Sequence, residues 1–596
     1  MKRIKTHFML TLLFLTAVST SVNSQTPAFP TAEGYGKYSA GGRGGKVVFV
    51  ENLDDYIAAN NLEAPIPGSF RWALTQYPGE PLTVLFRVSG AIKLKPYLTI
   101  SGTTVTNRND IRCSRANLTI AGQSAPGEGI CIRNSKLNLG GATDLIIRNM
   151  RFRIGENAAD STFLPGGSVG CENALRVIFD HCNFGWSGEE NLTFYDNRYT
   201  TVQWSMFHDA LYDDGHGKGV RGYGSQTGGI CATYHHNLWT NNESRSPRLN
   251  GARTDNETNV FIEFLNNVVY NWGSSGAAYG GDVNTGDRSH TCNFVSNYYK
   301  PGPATPTGNK YFFTNYIVNG ATIPRWYLSG NIMEGYPAIN SDNWNGFTWK
   351  WSGTAGSVPL PTKATASSDT LLSPPSKVVY NSAWVGYSPY KTNIQSATDA
   401  YTSILSKVGT INRDSVERRV IREVKNGTAT FKASHGSWGI IDKTYEAEGY
   451  RPYATTVAPT DTDKDGMPDT WELANGLDPN NAEDRNLKTP EGYTALEVYL
   501  AGLMGENIAH SFTTAVQVVK SFNASIVPTI VKKKFQVISD KPLQSAKVFD
   551  LTGKQVLFSS LSGSNSVDIS NLTVGCYLVQ IKNGSGDTQQ YKIIKE

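Results

Sequence analysis

Five carboxylates fall within twelve residues, at Asp461, Asp463, Asp465, Asp469 and Glu472. They take positions 1, 3, 5, 9 and 12 of a loop whose sixth residue is Gly466, a spacing that rings a sharp turn with hard oxygen ligands. The cation suited to such a cage is calcium. A single loop of this kind, followed by a helical stretch over 494–503, is expected to clip structure together rather than to sense calcium. It resembles the calcium loops of thrombospondin type 3 repeats, and Gly492-Tyr-Thr-Ala-Leu-Glu-Val-Tyr-Leu fits modules of that kind in secreted bacterial enzymes.

A second constellation lies between His208 and Asn250. It contains Asp213-Asp214-Gly-His216-Gly-Lys218, then Tyr234-His235-His236-Asn237, then Arg245-Ser-Pro247-Arg248-Leu-Asn250. If this segment belongs to a repeating coil, residues one coil apart stack in space, so Lys218 and Arg245 reach one groove. A cation pair on one face suits a polyanion. Asp180-His181 invites a general-base reading, but neighbouring strand residues point to opposite faces, which favours a structural role. The same objection applies to a metal site at His235-His236. The seven cysteines contain no CxxC pair, so zinc is not expected, and they read as small core residues or as one or two disulfides that export would permit.

The elements that must position these residues are short β-type runs, among them 117–121, 145–154, 175–184, 200–207, 232–239, 260–270, 293–299 and 326–333. No helical crossovers separate them. Several share an Asn followed by an apolar residue, at Asn149, Asn183, Asn237, Asn267, Asn297 and Asn331, and Ser205-Met206 fits the same series. Recurrence every 22 to 34 residues with elastic loops predicts a solenoid, with Asn at the bend for its tolerance of left-handed backbone and its capacity to stack. With 58 Gly and 27 Pro in 596 residues, a turn-rich β architecture is favoured over a helical bundle.

The composition changes after Tyr453, and alternating strands such as 535–538, 545–549 and 577–581 predict a small C-terminal sandwich. The expected organisation is therefore a leader at 1–24, a coil domain at 25–454, a calcium-loop and helix module at 455–510, and a β-sandwich at 511–596. The leader has a basic start, an apolar stretch from Phe8 to Val18 and small polar residues before Gln25, as a secretory signal does. Of 55 Lys and Arg residues, Lys2, Arg3 and Lys5 fall in that leader. The remainder nearly balances 51 Asp and Glu, so bulk charge gives no reason to expect a nucleic-acid partner.

Three pieces of the coil region resemble extracellular pectate lyases of polysaccharide lyase family 1: Val177-Ile-Phe-Asp180-His181, Tyr234-His-His-Asn237 and Arg245-Ser-Pro247. The resemblance covers roughly residues 28–350. It implies a right-handed parallel β-helix and calcium-assisted β-elimination on polygalacturonate, an acidic polysaccharide. By match to the Arg-x-Pro motif, it implies Arg245 as the base and Lys218 as partner of the substrate carboxylate. Asn250 stands where the family has a second Arg, so substrate gripping passes to Arg248 or Arg253 or is lost; His216 is a further substrate-binding candidate. Asp160, Glu189 and Glu190 are the candidate calcium ligands of the cleft, with Asp196 the nearest residue to a third family carboxylate.

Lys547-Val-Phe-Asp-Leu-Thr-Gly-Lys and Leu572-Thr-Val-Gly-Cys-Tyr-Leu-Val resemble the sorting domain of the type IX secretion system. That implies passage to the exterior or the outer cell surface, with the secretion machinery as a partner. The enzyme itself is expected to act as a monomer. Two rivals are a hydrolase, because Asp213-Asp214-Gly-His216-Gly resembles the polygalacturonase residues in another order, and a non-catalytic glycan binder using Trp186, Trp204, Trp239 or Trp272.

Overall fold

The computed structural model describes residues 25–596 except 58–62, 96, 102–103, 109, 157–165, 251–259, 282–289, 309, 320–322, 357–358, 376, 381–382, 387–392, 513–521 and 551–553. The leader, Asp160 and Arg253 lie outside the described residues.

Short strands between Lys46 and Trp351 stack into three parallel sheets of ten, nine and nine described strands. Strands are added in chain order along each sheet, and each full coil contributes one strand to every sheet. This is a right-handed parallel β-helix. In the first sheet Leu145, Val177, Thr200, Ala232, Ile262, Cys292 and Trp326 stand in register on successive coils, all fully buried. Apolar burial repeated at each coil is what stabilises the stack. In the second sheet Phe152, Phe184, Phe207 and Trp239 stack with ring centroids 4.5 to 5.5 Å apart. All seven cysteines are free and six are buried, as small core residues.

The bend between first and second sheets assigns its two tasks to different residues. The left-handed position falls at Asn149, His181, Trp204, His236, Asn266 and Ser296, with φ between 51° and 57°. In the later coils the asparagine follows it: Asn237, Asn267, Asn297 and Asn331 accept from the backbone N–H of Ser205, Asn237, Asn267 and Asn297, at 2.9 to 3.0 Å. Of the expected Asn series, Asn149 takes the left-handed position, whereas Asn237, Asn267, Asn297 and Asn331 serve as hydrogen-bond rungs. Asn183 is not among them, because its register partner is Met206, one position beyond the rung.

The left-handed residue also breaks side-chain alternation. His181 Nδ1 therefore reaches the Asp180 carboxylate at 2.8 Å, and His235 and His236 meet at 2.9 Å, where regular strands would have kept each pair apart.

Other segments cover the stack. Residues 26–45 lie along the first sheet, where a side chain at Gly36 would come within 2.2 Å of the Val177 carbonyl oxygen. Two helices, Ala397–Lys407 and Ser415–Asn426, pack Ile404, Val408, Val420 and Val424 against Met206, Leu238, Val268 and Tyr270 of the second sheet. Residues 479–510 belong to the same compact unit, and Gly466 of the acidic loop fits against Leu85 and Val47. The second unit, 473–478 with 511–596, holds a three-stranded antiparallel sheet and a five-stranded sheet that is antiparallel except for the parallel pair Ile530–Val531 and Thr588–Lys595, around Val537, Val548, Val579, Ile581 and Ile593.

Candidate functional site

The turns from second to third sheet, on successive coils, carry the chemistry-bearing residues. They run between 185 and 190, 208 and 223, and 240 and 248. The third sheet supplies a floor beside them. Thr193, Gln226, Arg248 and Tyr279 stand in register there, and Arg248 donates to Gln226 Oε1 at 2.7 Å.

Arg245 occupies the left-handed region at φ 57°. Its Nη1 donates to Glu190 Oε1, its Nε donates to the Tyr279 hydroxyl at 3.0 Å, and its guanidinium carbon lies 3.8 Å from the Tyr223 ring centre. The side chain stays 14% exposed, so the guanidinium lies at the groove rather than inside the core. Glu190 opens its strand opposite Tyr223 in the next coil, which brings three coils to one cation.

Glu189 gathers the other basic groups. Lys218 Nζ lies at 3.6 Å, His216 Nε2 at 4.0 Å and Arg221 Nη1 at 4.0 Å from its Oε1. His216 Nδ1 accepts from the Lys218 backbone N–H and from Arg221 Nε, which leaves the proton of the neutral ring on Nε2, facing Glu189. Burial holds the His216 pKa below the usual imidazole value, against the pull of Glu189. Lys218, His216, Arg221 and Glu189 thus form one cluster, joined through the Tyr223 ring to Arg245 and Glu190 and through the Tyr279 ring to Arg248.

Three neighbours escaped the sequence reading: Arg221, Tyr223 and Tyr279. Their signal was spacing, since Glu190 to Tyr223 and Arg245 to Tyr279 are each about one coil.

The groove does not present a ready calcium cage. Glu190 is closed by Arg245, Glu189 faces three basic side chains, and Asp160 is not described. Asp196 lies at the far end of the Glu190–Tyr195 strand, buried beside Arg198. Among the described residues, acidic or thiol groups close enough to share a metal occur only in the loop at 461–484.

The hydrolase residues do not face one another as a pair. Asp213 is exposed, whereas Asp214 is buried against Gly188, where any Cβ would lie 1.6 Å from its Oδ2. Burial pushes Asp214 up to about 6. Asp180 bonds Arg148, His181 and Gln203; burial opposes its ionisation, but His181 and Arg148 prevail and hold it well below the usual range, as befits a structural carboxylate.

In the acidic loop, Asp461, Asp463 and Asp465 form one group and Asp465, Glu472 and Asp484 another, each with ligand atoms within 4.8 Å. Asp465 and Glu472 are fully buried, yet Asp465 Oδ2 and both Glu472 oxygens have no hydrogen-bond partner. Buried oxygens of this kind are costly unless a cation or protons satisfy them, so the residues present fit a hard divalent ion. Burial and the neighbouring carboxylates push Asp465 up to about 7 and Glu472 up to about 8. Asp469 is not in either group: it accepts from the Thr462 N–H and hydroxyl, both at 2.7 Å. Asp484, twelve residues beyond Glu472, was invisible to the loop pattern.

The chain is similar to known proteins over most of its length. Residues 525–596 match the family described as Secretion system C-terminal sorting domain. Over 493 residues the chain is 29% identical to "Probable pectate lyase C" of Aspergillus flavus, covering 81% of this chain and 95% of that protein. It is 27% identical over 244 residues to the pectate trisaccharide-lyase of Thermotoga sp. (strain RQ2), covering 39% and 56%. A solved pectate lyase of Bacillus sp. N165 in complex with trigalacturonate superposes with TM-score 0.36 at 16% identity, covering 64% of this chain and 98% of that one.

Proposed function

We propose that this chain is a secreted pectate lyase that cleaves de-esterified polygalacturonan by β-elimination in the groove of its β-helix. Its similarity to pectate lyases over four-fifths of its length and its C-terminal sorting domain support the activity and the export. The observation that carries the site is Arg245, held by Glu190 and Tyr223 of the two preceding coils and Tyr279 of the following one, in a cluster with Lys218, Arg221 and Arg248.

The chemistry needs a cation against the uronate carboxylate and a base at C5. Lys218, 70% exposed and only loosely paired with Glu189, can exchange that partner for the sugar carboxylate. Such surface pairs are worth only about 0–1 kcal/mol. Charge withdrawn through the neutralised carboxylate makes the C5 proton more acidic. Arg245, in its neutral deprotonated form, takes that proton, the C5–H electrons form the C4–C5 double bond, the C4–O4 bond breaks, the departing oxygen takes a proton from water, and the hydroxide so formed returns Arg245 to its neutral form. An ordinary guanidinium holds its proton past pH 12, so the rate is expected to climb toward alkaline pH. Calcium, when bound in the groove, would supply further carboxylate neutralisation; Glu189 is the described carboxylate left for it, and no step above depends on it.

We further infer that Asp461, Asp463, Asp465, Glu472 and Asp484 hold a structural calcium ion, with Asp469 orienting the loop instead. The buried, partnerless oxygens of Asp465 and Glu472 support this reading.

The test of the activity is wild type against Arg245→Ala on polygalacturonate, with and without chelator, from neutral to alkaline pH. The expected result is ultraviolet-absorbing unsaturated product from wild type and a loss of at least about 10²-fold in the variant. Full activity in the variant would remove Arg245 from the reaction.

A further inference from the structure

We propose that Glu190 is a positioning residue that holds Arg245 in place through an ion pair, and not a ligand for calcium. The inference rests on the lyase reading above and assigns this carboxylate a different task from the one its sequence position suggests.

The argument begins with what surrounds the pair. Glu190 is 5% exposed, and its Oε1 receives Arg245 Nη1. Its Oε2 accepts weakly from the Thr193 hydroxyl at 3.4 Å. A cation coordinated here would have to displace an arginine from a largely buried carboxylate, and among the described residues no second and third acidic ligand stands within reach. Glu190 also sits at a fixed register position, opposite Tyr223, whose ring supports the same guanidinium from below. Tyr279, two coils beyond Tyr223 and one beyond Arg245, fixes Nε. Glu190 and Tyr279 therefore bind different nitrogens while Tyr223 takes the face, which leaves the guanidinium little freedom to rotate. Proton abstraction requires this kind of constraint, because a displacement of about 1 Å at a reacting group costs on the order of 10²-fold in rate.

The pair also sets the charge at this point. Among the described residues, the titratable groups facing it are Tyr223, Tyr279 and Glu189, with Arg248 across the Tyr279 ring and Arg221 across the Tyr223 ring. Glu190 is a carboxylate in direct contact with Arg245. A negative charge there favours the protonated guanidinium, so its loss lets the base shed its proton at lower pH.

Three readouts on the full-length protein test this: kcat and KM on polygalacturonate, the pH–rate profile, and the calcium concentration at half-maximal activity. Glu190→Gln should lower kcat by about 10²-fold, shift the rising limb of the profile toward lower pH, and leave the half-saturating calcium unchanged. Glu190→Asp keeps the charge, so it should leave the limb in place and lose less rate. It also serves as the informative variant if the Gln form does not fold, as judged by circular dichroism. A raised calcium requirement in either variant with an unmoved limb in Glu190→Gln would overturn the proposal and make Glu190 a ligand, as would unchanged kinetics in both. Absence of unsaturated product from wild type would instead refute the lyase reading itself.

Discussion

At the scale of single residues, the groove separates firmly held cations from loosely held ones. Arg245 is bound on two nitrogens and one face, whereas Lys218 extends into solvent beside Glu189. Lys218→Ala should raise KM several-fold and lower kcat as well, because the carboxylate it neutralises is the one that acidifies C5; steady-state kinetics at fixed pH decides it. Unchanged kcat and KM would remove Lys218 from the substrate carboxylate. The sequence singled out Arg245 by its place before Ser-Pro and Glu190 by its pairing with Glu189, but it took Glu190 for a calcium ligand, because a side chain's partner one coil away is not written beside it. Tyr223 and Tyr279 were not singled out, since an isolated tyrosine acquires meaning only when the coil register sets it under a particular guanidinium.

Among elements, the first and second sheets could be read as single apolar runs, because a run spans a strand of each, joined by a short bend: 175–184 covers Leu175–Asp180 and all but the last residue of Asn183–Gly185. The third sheet could not. Its strands include Tyr223–Gly228, with sequence YGSQTG, and the three-residue Arg248–Asn250, too polar and too short for a period-two signal. These are the strands that place the groove. The helices Ala397–Lys407 and Ser415–Asn426 also went unread, although Asp414 and Glu417 form a capping box.

The acidic loop makes a prediction at this scale. Asp465 and Glu472 are pushed to about 7 and about 8 in the folded chain, while unfolded carboxylates titrate near 4. The folded state then binds more protons than the unfolded state between those values. With chelator present, stability should therefore fall as pH rises from about 4 to about 8. Saturating calcium should abolish that decline, and Asp484→Asn should weaken calcium binding by titration calorimetry more than Asp469→Asn does. Identical urea midpoints with and without calcium across that range would exclude a bound ion.

For the whole molecule, the division of labour is between a rigid stacked scaffold and a separate C-terminal unit matched to a sorting family. Covering segments occupy the first and second sheets, and the turns leading into the third carry the basic residues. That arrangement explains why a nearly neutral chain can address a polyanion: the charge is local, set by coil register, and absent from the bulk composition. The most direct measurement is the mass of the oligosaccharides released from polygalacturonate by the wild-type protein. Cleavage by elimination predicts one fragment in each pair lighter by a water molecule and carrying a double bond at its new non-reducing end. Fragments that have all gained water would show hydrolysis and contradict the account.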